Sequence, residues 1–134
     1  MADAVLNQTL YQGTKKLITH YQNVSDNSGG TTTVVDVSGL DKDTLGNSCA
    51  KVTLNKIWFS VSMTAKVDAV KLMWDADTDA CFLTVEQTGF LDYGSIGGIK
   101  NNEATNFTGD VKIVMPACTA NDSATITCEW LKNY

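Results

Sequence analysis

The stretch from Lys51 to Glu86 restricts the fold more than any other, because many of its apolar residues recur at every second position. This period is typical of β-strands with one buried face. The alternation shifts by one residue near Lys56–Trp58, which predicts a β-bulge. Cys81–Val85 is a mostly apolar run, which predicts a strand buried on both faces. The stretch therefore predicts three core strands. The alternating apolar residues are Val52, Leu54, Ile57, Phe59, Val61, Met63, Val70, Leu72 and Trp74.

Further strands are predicted on both sides of this stretch, with turn-forming residues between them. No segment has a convincing 3.6-residue period of an amphipathic helix. About eight or nine short strands predict an all-β fold, an antiparallel β-sandwich or jelly-roll-like single domain. The additional strands cover Lys15–Val24, Thr31–Ser38, Phe90–Tyr93, Asp110–Met115 and Ser123–Lys132.

The length of 134 residues is that of one domain. Residues 1–12 hold few apolar side chains and are interpreted as an N-terminal arm or edge strand, and residues 13–134 as a single β domain. Gly94–Gly109 is the longest segment without a clear period, and loops of this length are often functional. The arm and this loop are therefore candidates for contact with a partner.

The charge of the chain argues against direct contact with nucleic acid. The net charge is −5, and all ten basic residues are lysines. Arginine makes the bidentate contacts to phosphate and guanine, and an acidic surface repels nucleic acid at long range. We expect no direct nucleic-acid partner and no anionic membrane surface. The sequence also has no recognisable secretory signal and no apolar run of 18 residues, so no membrane association is expected.

The four cysteines are spread along the chain without a Cys-x-x-Cys pair. In a chain with no export signal, four free and largely buried thiols are the expected state. A bridge between Cys118 and Cys128 across the last hairpin is the alternative. The remaining two cysteines are Cys49 and Cys81.

An acidic segment has the ligand spacing of a calcium-binding EF-hand loop. Asp75, Asp77, Asp79 and Glu86 occupy positions 1, 3, 5 and 12 of such a loop. Position 6 is Ala80, where the loop needs glycine, and the flanking segments are predicted strands. We therefore expect a solvated acidic turn and no metal, with calcium held by these four residues as the alternative.

No catalytic residue and no cofactor is predicted. His20 is the only histidine, and nothing near it in sequence marks a nucleophile that it would activate. The tryptophans Trp58, Trp74 and Trp130 lie in or beside apolar alternations, which favours packing in a core or an interface. A sugar-stacking platform built from these rings is the alternative.

Five segments follow one another between about Lys51 and Lys132, namely IWFS, VKLMWDADTD, FLDYGSIGGIKNN, TGDVKIVM and TITCEWLK. In this order they resemble small head decoration, or cement, proteins of tailed double-stranded DNA bacteriophages. The resemblance covers most of the chain. It implies a non-catalytic virion protein, made in the host cytoplasm, that forms a homo-dimer or homo-trimer on the capsid surface. Its partner there would be the major capsid protein.

Three other functions stay open from the sequence. One is another virion component, a head–tail adaptor or a tail protein. The second is a carbohydrate-binding β-sandwich module that uses exposed tryptophan. The third, a hydrolase, has only unpatterned acidic residues to support it.

Overall fold

A computed structural model describes residues 3–64, 69–101 and 106–134. Nine strands and two short 3-10 turns lie in these residues, and the predicted all-β fold is confirmed. None of the helical segments found there has the length and apolarity needed to cross a membrane. The strands are β1 (Ala4–Gln12), β2 (Lys16–Val24), β3 (Gly30–Val35), β4 (Lys51–Ser62), β5 (Val70–Trp74), β6 (Ala80–Val85), β7 (Gln87–Asp92), β8 (Val111–Met115) and β9 (Ser123–Asn133), with 3-10 turns at Val37–Gly39 and Gly94–Ile96.

The strands form two open antiparallel sheets in a sandwich-like arrangement. Sheet I has five strands in the order β1-β2-β9-β4-β7, and sheet II has four in the order β3-β8-β5-β6. Strand β9 lies at the centre of sheet I, paired with β2 on one side and β4 on the other. The clean alternation of β9 accounts for its one buried apolar face and not for its central position. The apolar residues that β9 buries are those predicted: Ala124, Ile126, Cys128 and Trp130.

A β-bulge in β4 decides which of its side chains face the core. The register of β4 against β9 shifts between Leu54 and Lys56, which leaves Asn55 as the extra residue. Because of this insertion, Leu54 and Ile57 both point inward although they are three residues apart, and both are fully buried. The predicted change of phase is therefore confirmed, and it directs Trp58 away from the core.

The core packs around aromatic side chains contributed by both sheets. Trp74 of β5 stacks on Phe82 of β6 with ring centroids 3.8 Å apart, and Trp130 of β9 lies 6.5 Å from Trp74. The indole Nε1 of Trp130 donates a hydrogen bond of 3.0 Å to Thr19 Oγ1, which satisfies a buried polar group. Val70 and Leu72 are buried as predicted.

The prediction that Cys81–Val85 is buried on both faces is wrong. These residues belong to β6, which is an edge strand of sheet II, and only Val85 is buried. Phe82 is half-buried because it packs against Trp74 and not because the strand lies in the interior. Apolar composition thus could not separate an edge strand with one packed ring from a central strand.

Four free thiols are present, and three of them are buried. Cys81 is the exception, since the edge position of β6 leaves it exposed. Cys118 and Cys128 are not joined. Burial raises the pKa of the Cys128 thiol far above its ordinary value, so this group stays protonated.

The N-terminal segment, which was predicted as an arm or an edge strand, forms an edge strand in the structure. Residues 4–12 form an edge strand, because β1 pairs with β2 alone in sheet I. The predicted strand Thr31–Ser38 ends at Val35, since the Asp36 side chain accepts a hydrogen bond from Ser38 N and begins a 3-10 turn. The loop predicted at Gly94–Gly109 includes residues 102–105, which lie outside the described residues.

Candidate binding face

The outer face of sheet I carries a row of side chains, one from each of its five strands. Opposite residues of antiparallel strands point to the same face, so the strand registers place these five side chains side by side. We call this set, in sheet order Gln8, His20, Thr127, Trp58 and Phe90, the aromatic row. With strands about 4.8 Å apart, the row is roughly 19 Å long. None of its members is a carboxylate or an amine.

Two aromatic rings at one end of this row face solvent. Trp58 is 42% exposed and Phe90 is 49% exposed. Their ring centroids lie 5.2 Å apart with an angle of 31° between the ring planes. The large apolar surface they present is unusual for a solvated strand face and is the kind that anchors an interface.

A second row lies beside the aromatic row and consists mainly of small polar groups. We call it the hydroxyl row; its members in sheet order are Leu6, Gln22, Thr125, Ser60 and Thr88. The hydroxyl oxygens of Ser60 and Thr88 are 3.1 Å apart and hydrogen-bond across β4 and β7. A shallow depression of about 270 Å³ lies where this row meets Trp58. It is lined by Trp58, Phe59, Gly89 and four residues with hydroxyl groups, and none of its lining residues is charged.

Gly89 of β7 allows β7 to pack closely against β4 at the aromatic end of the face. The ring of Phe59 lies against Gly89, and a Cβ at that position would come within 2.9 Å of the ring. Phe59 and Gly89 are opposite each other in the β4–β7 pair. The absence of a side chain there lets β7 lie flat beside β4, which positions Phe90 next to Trp58.

Charged side chains of this face lie on the other side of the aromatic row, with Lys16 one row further out and Glu129, Lys56 and Asp92 in the adjacent third row. In it, Glu129 accepts hydrogen bonds from Lys16 Nζ at 2.9 Å and from Asn55 Nδ2 at 2.9 Å, and Lys56 Nζ lies 3.9 Å away. Burial acts to raise the pKa of Glu129, but the contacts with the lysines and Asn55 outweigh it and hold the pKa below its ordinary value. The carboxylate is therefore ionised, and the two lysines of the same sheet balance its charge.

The polar contact in the aromatic row is a cross-strand pair. His20 Nδ1 lies 2.9 Å from Thr127 Oγ1, and the two residues are opposite each other in the β2–β9 register. This agrees with a strand histidine near the surface. The pair adds hydrogen-bonding groups to the face next to the Trp58 ring.

The acidic segment predicted as a possible calcium loop is not a loop over its whole length. Asp75, Asp77 and Asp79 lie at the β5–β6 turn, but Glu86 follows the last residue of β6. Six extended residues separate it from the turn by roughly 20 Å. The four carboxylates of the predicted loop are therefore not brought together in the structure. Over residues 3–64, 69–101 and 106–134, no group of three or more His, Cys, Asp or Glu residues is placed to hold a metal ion.

Two of these acids are instead neutralised by a lysine of sheet II. Lys112 Nζ lies 2.8 Å from Asp75 Oδ1 and 3.1 Å from Asp79 Oδ2. The hydrogen bond from Lys112, with that from Thr108, holds the pKa of Asp75 below its ordinary value. Asp77 accepts a hydrogen bond of 2.7 Å from Asn106 Nδ2. The acids thus connect the turn to the strand and loop beside it.

The three tryptophans have different roles. Trp74 and Trp130 are buried in the core, as the packing interpretation predicted, whereas Trp58 is exposed on the face. Its direction follows from the phase of β4, since Ile57 and Phe59 on either side point inward. The partners of Trp58 were missed, because identifying them requires the strand order.

No protein-family model, curated protein or solved structure matches the chain. The sequence resemblance and the geometry of the outer face of sheet I are therefore the basis for assigning a function.

Proposed function

We propose that the chain is a structural subunit of a tailed-bacteriophage virion that decorates and stabilises the outside of the capsid. In this proposal it binds the major capsid protein through the aromatic row. The single observation that supports it most is the exposed Trp58–Phe90 pair at the end of a row of otherwise uncharged side chains. The sequence resemblance supplies the virion context.

The geometry suits adhesion to a protein surface. Interface hot spots are enriched in tryptophan, lie in desolvated patches and are surrounded by groups that exclude water. Trp58 and Phe90 provide the apolar anchor, while Thr125, Thr127 and Ser60 provide neutral hydrogen-bonding groups around it. Because the nearby Glu129 carboxylate is already paired with lysine, covering this face leaves that charge neutralised.

Binding to purified capsid shells tests the proposal. The double variant Trp58→Ser and Phe90→Ser should lose most shell binding in co-sedimentation, because truncating a tryptophan hot spot costs about 2 kcal/mol or more, roughly 30-fold in affinity. Shells that carry the wild-type protein should also resist heating better than bare shells, since a ligand of the assembled state stabilises that state.

A matched control removes apolar surface elsewhere. Leu45 is even more exposed than either ring of the aromatic pair and lies outside the sheets. The variant Leu45→Ser should bind shells as the wild type does. Equal binding by the aromatic variant and the wild type, or no effect of the protein on shell stability, would contradict the proposal.

Copy number separates decoration from the other virion roles. Hundreds of copies per particle are expected of a decoration protein, whereas about six to twelve are expected of a head–tail adaptor, since a connector has the symmetry of a ring. Quantitative mass spectrometry of purified particles measures this directly. A low count would favour the adaptor or tail alternative.

A carbohydrate-binding module is the second candidate, and the depression beside Trp58 favours it. Sugars stack their apolar faces on aromatic rings and hydrogen-bond to neutral hydroxyls, and both kinds of group line this depression. Trp58 is the only exposed tryptophan, because Trp74 and Trp130 are buried. A change in tryptophan fluorescence on adding a glycan should therefore disappear in Trp58→Phe. Unchanged fluorescence of the wild type across a panel of neutral glycans would count against this function.

A further inference from the structure

Strand β1 presents an unusually accessible sheet edge. It is nine residues long and is the first strand of sheet I, and within residues 3–64, 69–101 and 106–134 it pairs with β2 alone. Eight of its residues are exposed and the last is half-buried. Among them are Val5, Leu6, Leu10 and Tyr11, each exposed by 45% or more. An edge of this length offers a row of backbone N–H and C=O groups to another strand.

The sequence of β1 lacks the features that usually protect such an edge. Ala4–Gln12 contains no charged residue and no proline. Its one irregularity is a change of register between Thr9 and Tyr11, so Ala4–Thr9 is a regular strand. Natural edge strands are commonly blocked by lysine, proline or bulges. The regular part of β1 therefore remains open to pairing.

The other sheet edges are less suited to pairing. Strand β7 is shorter and ends in the carboxylate of Asp92. Strand β6 is six residues long, and its register with β5 shifts between Leu83 and Cys81, so it contains a bulge of the kind that hinders edge pairing. Strand β3 is uncharged, but the carbonyl of Thr33 already accepts a hydrogen bond from Asn7 Nδ2.

We infer that two copies of this chain pair through Ala4–Thr9 of β1, antiparallel across a two-fold axis, and join their five-stranded sheets into one ten-stranded sheet. A second copy fits this edge because an uncharged strand can face itself without repulsion, even though each chain is acidic. A two-fold pairing is also self-complementary, so one sequence satisfies both sides. This inference does not depend on the proposed capsid role.

The geometry of antiparallel pairing determines how the two outer faces are arranged. Opposite residues in such a pair share a face, so the two-fold axis must run perpendicular to the sheet. With the axis near Asn7, Leu6 of one chain lies opposite Gln8 of the other. Both of these side chains point outward in the rows defined above. The two aromatic rows would therefore lie on the same side of the ten-stranded sheet.

The interface is small, which determines how it should be measured. One strand from each chain buries less than the roughly 1,600 Å² of a standard interface, so we expect a dissociation constant in the micromolar range, at most about 0.1 mM. Sedimentation equilibrium up to about 1 mM protein should give a mass approaching twice the 14.5 kDa of one chain. A monomer at every concentration, or a trimer, would overturn the inference.

Charge placed on the edge tests the position of the contact. The double variant Leu6→Lys and Gln8→Lys puts like charges opposite each other across the axis, and both positions are exposed, so the fold should be retained. The dissociation constant should rise on the order of tenfold or more at low salt and recover partly at high salt. The control Thr31→Lys and Thr84→Lys adds the same charge to the edges of sheet II, at exposed positions of β3 and β6. It should dimerise as the wild type does.

Amide hydrogen exchange distinguishes strand pairing from a dimer formed elsewhere. Amides of Ala4–Thr9 that point away from β2 should exchange more slowly as protein concentration rises, while those of β6 and β7 should not change. Dimerisation that is unaffected by the Leu6→Lys and Gln8→Lys variant, or protection that appears on another edge, would refute pairing through β1. Circular dichroism of each variant confirms that only association has changed.

Discussion

Deleting Asn55 should test whether the bulge in β4 controls which side chains reach the core. Without it, Lys51–Leu54 must shift by one residue against β9, and Val52 and Leu54 would turn outward. Both are fully buried, and exposing a side chain of this size costs about 1.5–3 kcal/mol. The alternative shift, of the segment after the bulge, would expose Ile57 and Val61 and bury Trp58. The expected loss from register alone is therefore about 3–6 kcal/mol.

The substitution Asn55→Ala is the matched control. It keeps the number of residues but removes the hydrogen bond of 2.9 Å from Asn55 Nδ2 to Glu129 Oε2, which the deletion removes as well. A hydrogen bond to a charged group contributes about 1.5–3 kcal/mol. The deletion should thus cost about 3–6 kcal/mol more than the substitution, a large fraction of the typical stability of a domain of about 5–15 kcal/mol.

Urea unfolding followed by tryptophan fluorescence gives the free energy of unfolding for wild type, substitution and deletion. If the deletion and the substitution differ by less than about 1 kcal/mol, the bulge does not set the register, and the explanation for the outward direction of Trp58 fails.

Three further predictions concern acid stability, thiol reactivity and backbone strain. The pKa of Glu129 in the folded protein is lowered from its ordinary value of 4.5. The ionised carboxylate therefore stabilises the fold above pH 4.5, and this contribution is lost as pH falls through the folded pKa. Urea midpoints at pH 7 and pH 3 should differ less in Glu129→Gln than in the wild type, and an equal difference would contradict this. In the native protein only Cys81 should react quickly with a thiol reagent, the other three reacting on unfolding, because only Cys81 is exposed; rapid reaction of two or more thiols would show that the core is more open. Gly109 has φ +93°, and a Cβ there would clash with the carbonyl oxygen of Ala50, so Gly109→Ala should lower the free energy of unfolding by about 1–3 kcal/mol in the same urea assay, and an unchanged value would refute the strain.

The residues on the inward faces of the strands could be predicted from the sequence, because these faces depend on local periodicity. Ala124 to Trp130 alternate cleanly, and the phase change near Lys56 was visible from the apolar positions on either side of it. A side chain's direction within one strand needs no knowledge of the other strands. This is why most of the core positions could be predicted before the sheet order was known.

The candidate binding face could not be predicted in this way, because its residues come from strands that are distant in sequence. The aromatic row joins residues 8, 20, 127, 58 and 90, and only the order β1-β2-β9-β4-β7 brings them together. The misplacement of Cys81–Val85 has a related cause. Composition reports how apolar a strand is, whereas its position at an edge or a centre depends on which neighbours pair with it.

The lack of charge along the aromatic row has a thermodynamic consequence for any partner that covers it. Screening by salt weakens attraction between exposed ions, but contacts among Trp58, Phe90 and neutral hydroxyls involve no such attraction. Burial of apolar surface gives a negative heat-capacity change on association. A complex formed through the aromatic row should therefore keep its affinity from dilute buffer to sea-water ionic strength, while its binding enthalpy becomes more favourable as the temperature rises.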